Sequence, residues 1–189
     1  MSSPEVEFTR AELAEAVAAD TVTPHQLILA WAQSNDGTTP PRVYPFAPET
    51  VLVAALPRED VDELAPGAFA VVQAGGRVHC VPVCRAEAVL AEVRAIRATD
   101  LVVRAGLLRL IRRTWEAELA AGPLSTLAVF EGLQHSAAHS SRARRALLPD
   151  LHARLGSQLI TLWCAGEPAD LETATFFSRA GLHIRRCFD

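Results

Sequence analysis

The 189 residues contain no lysine; all 18 basic residues are arginine. Arginine is a fixed planar donor and lysine a tunable amine. Schiff-base chemistry on lysine and a lysine-bearing phosphate loop are therefore excluded. Cysteine is sparse. Cys80, Cys84, Cys164 and Cys187 lack the dense spacing of a disulfide scaffold, so reduced thiols are expected. No apolar run is long enough to span a membrane. The opening MSSPEVEFTR has no basic stretch leading into an apolar one, which predicts no signal peptide and a cytoplasmic protein. A net charge of −4 gives no general attraction to nucleic acid or to anionic membrane. No Walker, GxGxxG or nucleophile-elbow pattern is present.

Half of the residues are hydrophobic and 21% are charged, as in an ordinary globular chain able to bury a core. Thr9 with Glu12 forms a capping box, and Thr23-Pro24 marks a second helix start. Helices over 10–19 and 24–34 follow, a hairpin whose outline also suits a DNA-reading pair, although no basic face accompanies it. The turn-rich stretch 35–42 divides an N-terminal extension, 1–42, from a main domain, 43–189.

Within that domain 50–56 reads as a strand and 57–64 as a short helix. Gly75-Gly76 between two apolar runs reads as a hairpin, with Pro82 at an edge or bulge. Helices are expected over 85–98 and 100–121. The second rests on Leu101, Ala105, Leu108, Ile111, Trp115 and Leu119 at helical spacing, with Arg104, Arg109, Arg112 and Arg113 read as a solvated face and, as the lesser reading, a phosphate site. Strands at 124–130, 158–164 and 183–188 alternate with helices at 144–155 and 171–180. The fold class is α/β, a sheet covered by helices.

Two metal patterns are weak. His135 and His139 share a helical face but lack a third ligand. Cys80 and Cys84 on one strand would stand roughly 13 Å apart, too far for one ion or a disulfide. No metal is expected.

The C-terminal third, DLETATFFSRAGL within a strand–helix–strand run, resembles the GNAT superfamily of acyl-CoA-dependent N-acyltransferases. Asp170 falls where that family often has Asn, Phe177 on its frequent Tyr, and Gly181-Leu182 on its Gly-Phe. The resemblance implies a mixed sheet, acetyl-CoA or another acyl-CoA as donor, and an amine of a small molecule or protein as acceptor. It implies Glu131 as base and Val129 and Phe130 as backbone contacts to the acyl and pantetheine arm. Arg142, Ala143, Arg144 and Arg145 would hold the cofactor's phosphates, beside Asp170 and Phe177. The family's loop glycines are Arg142 and Arg144 here, and Phe177 cannot donate a proton. An inactive GNAT-like binding module is thus the second reading, and a DNA-contacting regulator the third. No membrane or nucleic-acid partner is expected, and a homodimer is left open.

Overall fold

The computed structural model describes residues 46–57, 64, 67–68, 70–72, 74–81, 85–133 and 140–187. The expected N-terminal hairpin, most of the 57–64 helix, Pro82, Cys84, His135 and His139 lie outside them.

The core is a five-stranded sheet. Strand β1 is Val51–Ala55, β2 Arg77–Cys80, β3 Asp100–Arg104, β4 Thr161–Ala165 and β5 His183–Arg186. The strands lie in the order β2-β1-β3-β4-β5, and each neighbour pair is parallel. All five residues of VLVAA in β1 are buried, as are four of five in DLVVR of β3. Continuous apolar runs of this kind belong to strands covered on both faces. Register places Val53 opposite Leu101, and Leu101 opposite Leu162.

Six helices are bounded by described residues: α1 Ala86–Ala95, α2 Ala105–Ala121, α3 Leu124–Gly132, α4 Ser141–Leu147, α5 Pro149–Leu155 and α6 Leu171–Arg179. On α1 the buried residues Ala86, Val89, Leu90 and Val93 recur at helical spacing. They join Val53, Leu101 and Leu162 in the larger core, together with α2, α5 and α6. The opposite sheet face carries Leu52, Val102 and Trp163 against Leu64, Ala68 and Val71, which belong to the β1–β2 crossover. One crossover thus covers one face and three cover the other. The strand order reverses between β1 and β3, which is the switch point of a doubly wound sheet.

The expected α/β class, a sheet flanked by helices, is what the chain forms. Several elements differ. Residues 100–121 are a strand followed at once by a helix, because Leu101, Val102 and Val103 are fully buried between sheet neighbours. Their spacing fits a helix and a buried strand equally. Gly75-Gly76 joins no hairpin. Residues 70–72 are helical, and Gly75 (φ +87) ends that helix, with N–H of Gly75 on the Val72 carbonyl and N–H of Gly76 on that of Val71. A Cβ on Gly76 would stand 2.7 Å from the Thr50 carbonyl oxygen, so side chains are barred as the chain enters β2. The expected 144–155 helix is divided at Leu148 (φ −126, ψ 53), where Pro149 begins α5.

The Asp170 carboxylate accepts the Thr173 N–H at 2.8 Å and caps α6. Phe176 and Phe177 are both buried, each about 6.0 Å from Trp115 between ring centroids. Burying such a ring stabilises by about 1.5–3 kcal/mol. Gly181 (φ +82) closes the helix: its N–H meets the Ser178 carbonyl and that of Leu182 the Phe177 carbonyl.

Candidate functional site

The residues singled out from sequence fall on three elements, α3, α4 and α6. Val129, Phe130 and Glu131 lie on α3, a helix and not the expected strand. Their N–H groups face along a helix axis, so none is offered at a strand edge to an acyl carbonyl. Arg142, Ala143, Arg144 and Arg145 lie on α4, where the Ser140 side chain already accepts the Ala143 N–H. Arg144 donates to the Ser178 carbonyl and Arg145 to the Leu159 carbonyl, so both fasten α4 to the sheet and to α6. Asp170 is the cap described above. Phe177 is 0% exposed and faces Trp115, not a cleft.

A different cleft opens at the carboxyl edge of the sheet. It has a volume near 340 Å³ and is lined by Arg104, Ala105, Gly106, Arg109, Ala165, Gly166 and Glu167. The first residues end β3 and start α2 with no loop between; the last follow β4. Ligands of open α/β sheets bind outside the carboxyl ends of the strands, at the switch point. β3 borders both that switch point and this cleft.

The local chemistry favours an anion. Helix α2 runs for 17 residues, has no side-chain cap at Arg104 and no acid in its first turn. Its positive end thus opens into the cleft with N–H groups left over. A Cβ at Gly106 would meet nothing within 4 Å, so the approach to those N–H groups is open. Arg104 and Arg109 add two guanidinium groups to the lining. Glu167 is the one carboxylate among the described residues that line it.

The neighbouring groups are structural. Arg112 is buried, with its guanidinium 2.7 Å from Glu172 and 3.2 Å from Glu116. The Glu172 hydrogen bond, opposed by burial, holds it charged beyond the usual arginine range. The pair ties α2 to the start of α6. Asp170 is held below the usual carboxylate range, first by the Thr173 N–H, with Arg112 and Arg109 contributing. Burial pushes the Cys164 thiol up, and its Sγ donates to the Glu167 carbonyl at 3.1 Å. Burial likewise pushes Cys80 up to about 11. Thiols so shifted are not nucleophiles at neutral pH. Among the described residues no cluster of three metal-ligating side chains occurs, and no helix is long and apolar enough to cross a membrane.

Fifteen chains of known structure match this fold. One is a Mycobacterium tuberculosis fatty acyl CoA synthetase, 11% identical, with a TM-score of 0.48 over 85% of this chain and 23% of that one. Another is the N-terminal domain of FACL13 from Mycobacterium tuberculosis, also 11% identical with a TM-score of 0.48, over 86% of this chain and 30% of that one. The chain spans less than a third of the length of either. No protein-family model matches it, and no curated protein does.

The GNAT resemblance does not hold. One solved structure named is a fatty acyl CoA synthetase and the other the N-terminal domain of FACL13; neither is titled a GNAT acyltransferase. The topology of the described residues carries the correction: every described strand pair is parallel where a mixed sheet was implied, and 124–132 is helical where the donor-binding strand was implied. N-acyltransfer and its inactive variant, the second reading, fall with the resemblance. Arg104 and Arg109, expected on a solvated face with a phosphate site as the lesser reading, both line the carboxyl-edge cleft. Their signal was present in DLVVRAG: an apolar run passing straight into a helix start that carries glycine and arginine but no acid.

Proposed function

We propose that the chain binds a phosphorylated small molecule of nucleotide type in the carboxyl-edge cleft. The observation that carries this is the uncapped start of α2, which opens at Gly106 into a cleft lined by Arg104 and Arg109. Helix N-termini at the carboxyl edge of a parallel sheet bind phosphate through backbone N–H groups. Arginine adds planar, charge-assisted pairing to phosphate oxygens. Coenzyme A, the donor carrier expected from sequence, belongs to this phosphorylated class, as do ATP and AMP. The role is binding and orientation: the N–H groups of the first turn of α2 hold a phosphoryl group, and Arg109 fixes its direction.

Calorimetric titration with CoA, ATP and inorganic phosphate tests the reading. Micromolar binding of CoA or ATP is expected, weakened at least tenfold in Arg109→Ala, since a lost charge-assisted bond costs about 1.5–3 kcal/mol. Gly106→Asp sets a carboxylate in the first turn of α2 without steric conflict. It should abolish binding while leaving the protein folded, because an acid there favours the helix by about 0.3–1 kcal/mol. Absence of binding at millimolar ligand, or equal affinity in both variants, would overturn the reading.

A further inference from the structure

Helix α3 is apolar around its circumference, through Leu124, Leu127, Ala128, Val129 and Phe130, yet only Phe130 of the helix is buried. Helices apolar on all sides are ordinarily covered on all sides. Beside α3 lies a groove of about 660 Å³ between α2, α3 and α6. Its floor is Leu119, Leu127, Phe130 and Phe176, and Leu171 stands on its wall 84% exposed. Leu124, 82% exposed, lies one turn before Leu127 on the same helix. Exposed apolar surface joined in this way marks an interaction site.

Charge selects the occupant. Glu116, Glu131 and Glu172 stand around the groove, against Arg179 on its lining and Arg112 buried behind Glu116 and Glu172. The rim is therefore net negative, and the Glu172 side chain is 77% exposed, open to a second cation. Residues 1–45 carry six acidic side chains, Glu5, Glu7, Glu12, Glu15, Asp20 and Asp36, against Arg10 and Arg42. Like charge disfavours that segment as the cover. A second copy laid groove to groove would oppose the same carboxylates, and an anionic membrane is repelled for the same reason.

We infer that the α2–α3–α6 groove is a docking site for a basic amphipathic helix of a partner protein. Such a helix sets large apolar side chains at i, i+3, i+4 and i+7 into an apolar groove. Its flanking arginines or lysines would meet Glu131 and Glu172. The site lies on the helical layer, apart from the carboxyl-edge cleft, and stands or falls independently of the phosphate reading.

Fluorescence anisotropy with two labelled synthetic peptides of about sixteen residues tests it, on the full chain. Both carry leucine on one helical face; one has arginine on the other face and one has glutamate. The arginine peptide should bind in the micromolar range and the glutamate peptide at least tenfold more weakly. Leu171→Asp should weaken the arginine peptide at least tenfold even though it adds negative charge. Glu131→Arg should narrow the difference between the peptides. The inference is overturned if neither peptide binds, or if Leu171→Asp leaves the arginine peptide unaffected, which would be unspecific charge attraction. It is equally overturned if sedimentation shows a dimer, or anionic vesicles show binding, that Leu171→Asp abolishes.

Discussion

Phe177 shows how one position changes meaning with its surroundings. Set against a family pattern it falls on a proton donor; in the fold it is fully buried, perpendicular to Phe176 and packed on Trp115. Restoring a tyrosine would introduce a hydroxyl into that apolar contact. An unsatisfied buried hydroxyl costs about 1–3 kcal/mol. Phe177→Tyr should therefore lower the unfolding free energy from urea denaturation by an amount of that order and confer no acyl transfer to amines. A variant as stable as the parent would show that a partner for the hydroxyl exists at this depth. Gly181 ends α6 at a positive φ. A Cβ there would lie 2.5 Å from the Ser141 carbonyl oxygen, so the glycine also lets α4 approach the end of α6.

Among elements, the joint between α5 and α6 rests on His152. Its Nε2 donates to the Ala180 carbonyl at 2.7 Å, a group at the α6 C-terminus, while Nδ1 is buried with no partner among the described residues. Burial, first, and the Arg145 charge hold its pKa below the ordinary histidine value of 6.5, although the carbonyl contact favours the protonated ring. A depressed folded-state pKa means that the unfolded chain takes up the proton first as pH falls. Stability from this group is fully present above pH 6.5 and is lost as pH drops below it. His152→Gln, which keeps a donor for Ala180, should flatten the fall in urea midpoint between pH 7.5 and about 5. Identical slopes in parent and variant would place the acid sensitivity elsewhere. Asp170 does not confound this window, since its carboxyl titrates below 3.8. The same scale explains what was readable. The helix expected over 171–180 matches α6, whose Asp170 cap and Gly181 stop are both local features of the chain. The strand β3 was hidden because Leu101 to Val103 continue an apolar spacing shared with α2, and only sheet burial separates the two. The helix α3 was hidden for the opposite reason: LSTLAVF is apolar without period, so nothing in it distinguishes an uncovered helix from a strand.

For the whole molecule, strand order is the property that sequence could not supply. Alternating strands and helices imply a covered sheet, yet parallel pairing and the reversal between β1 and β3 are set by which crossover covers which face. The carboxyl-edge cleft lies one strand away from that reversal, between the ends of β3 and β4. Strand order also fixes a gradient of protection across the sheet. β1, β3 and β4 are interior and almost wholly buried, whereas β2 and β5 are edges with exposed or half-buried residues throughout. Local opening takes its free energy from such burial. Hydrogen exchange should therefore be slowest at Leu52 to Ala54, Leu101 to Val103 and Leu162 to Cys164, and faster at 77–80 and 183–186. If β5 exchanged as slowly as β3, it would have to be covered along its open edge, and a further strand or a partner chain would be pairing there. Because α6 and β5 are held to the sheet through β4, binding in the cleft beside β3 and β4 should slow exchange at those central strands first. The edge strand β2, on the far side of β1, should respond least.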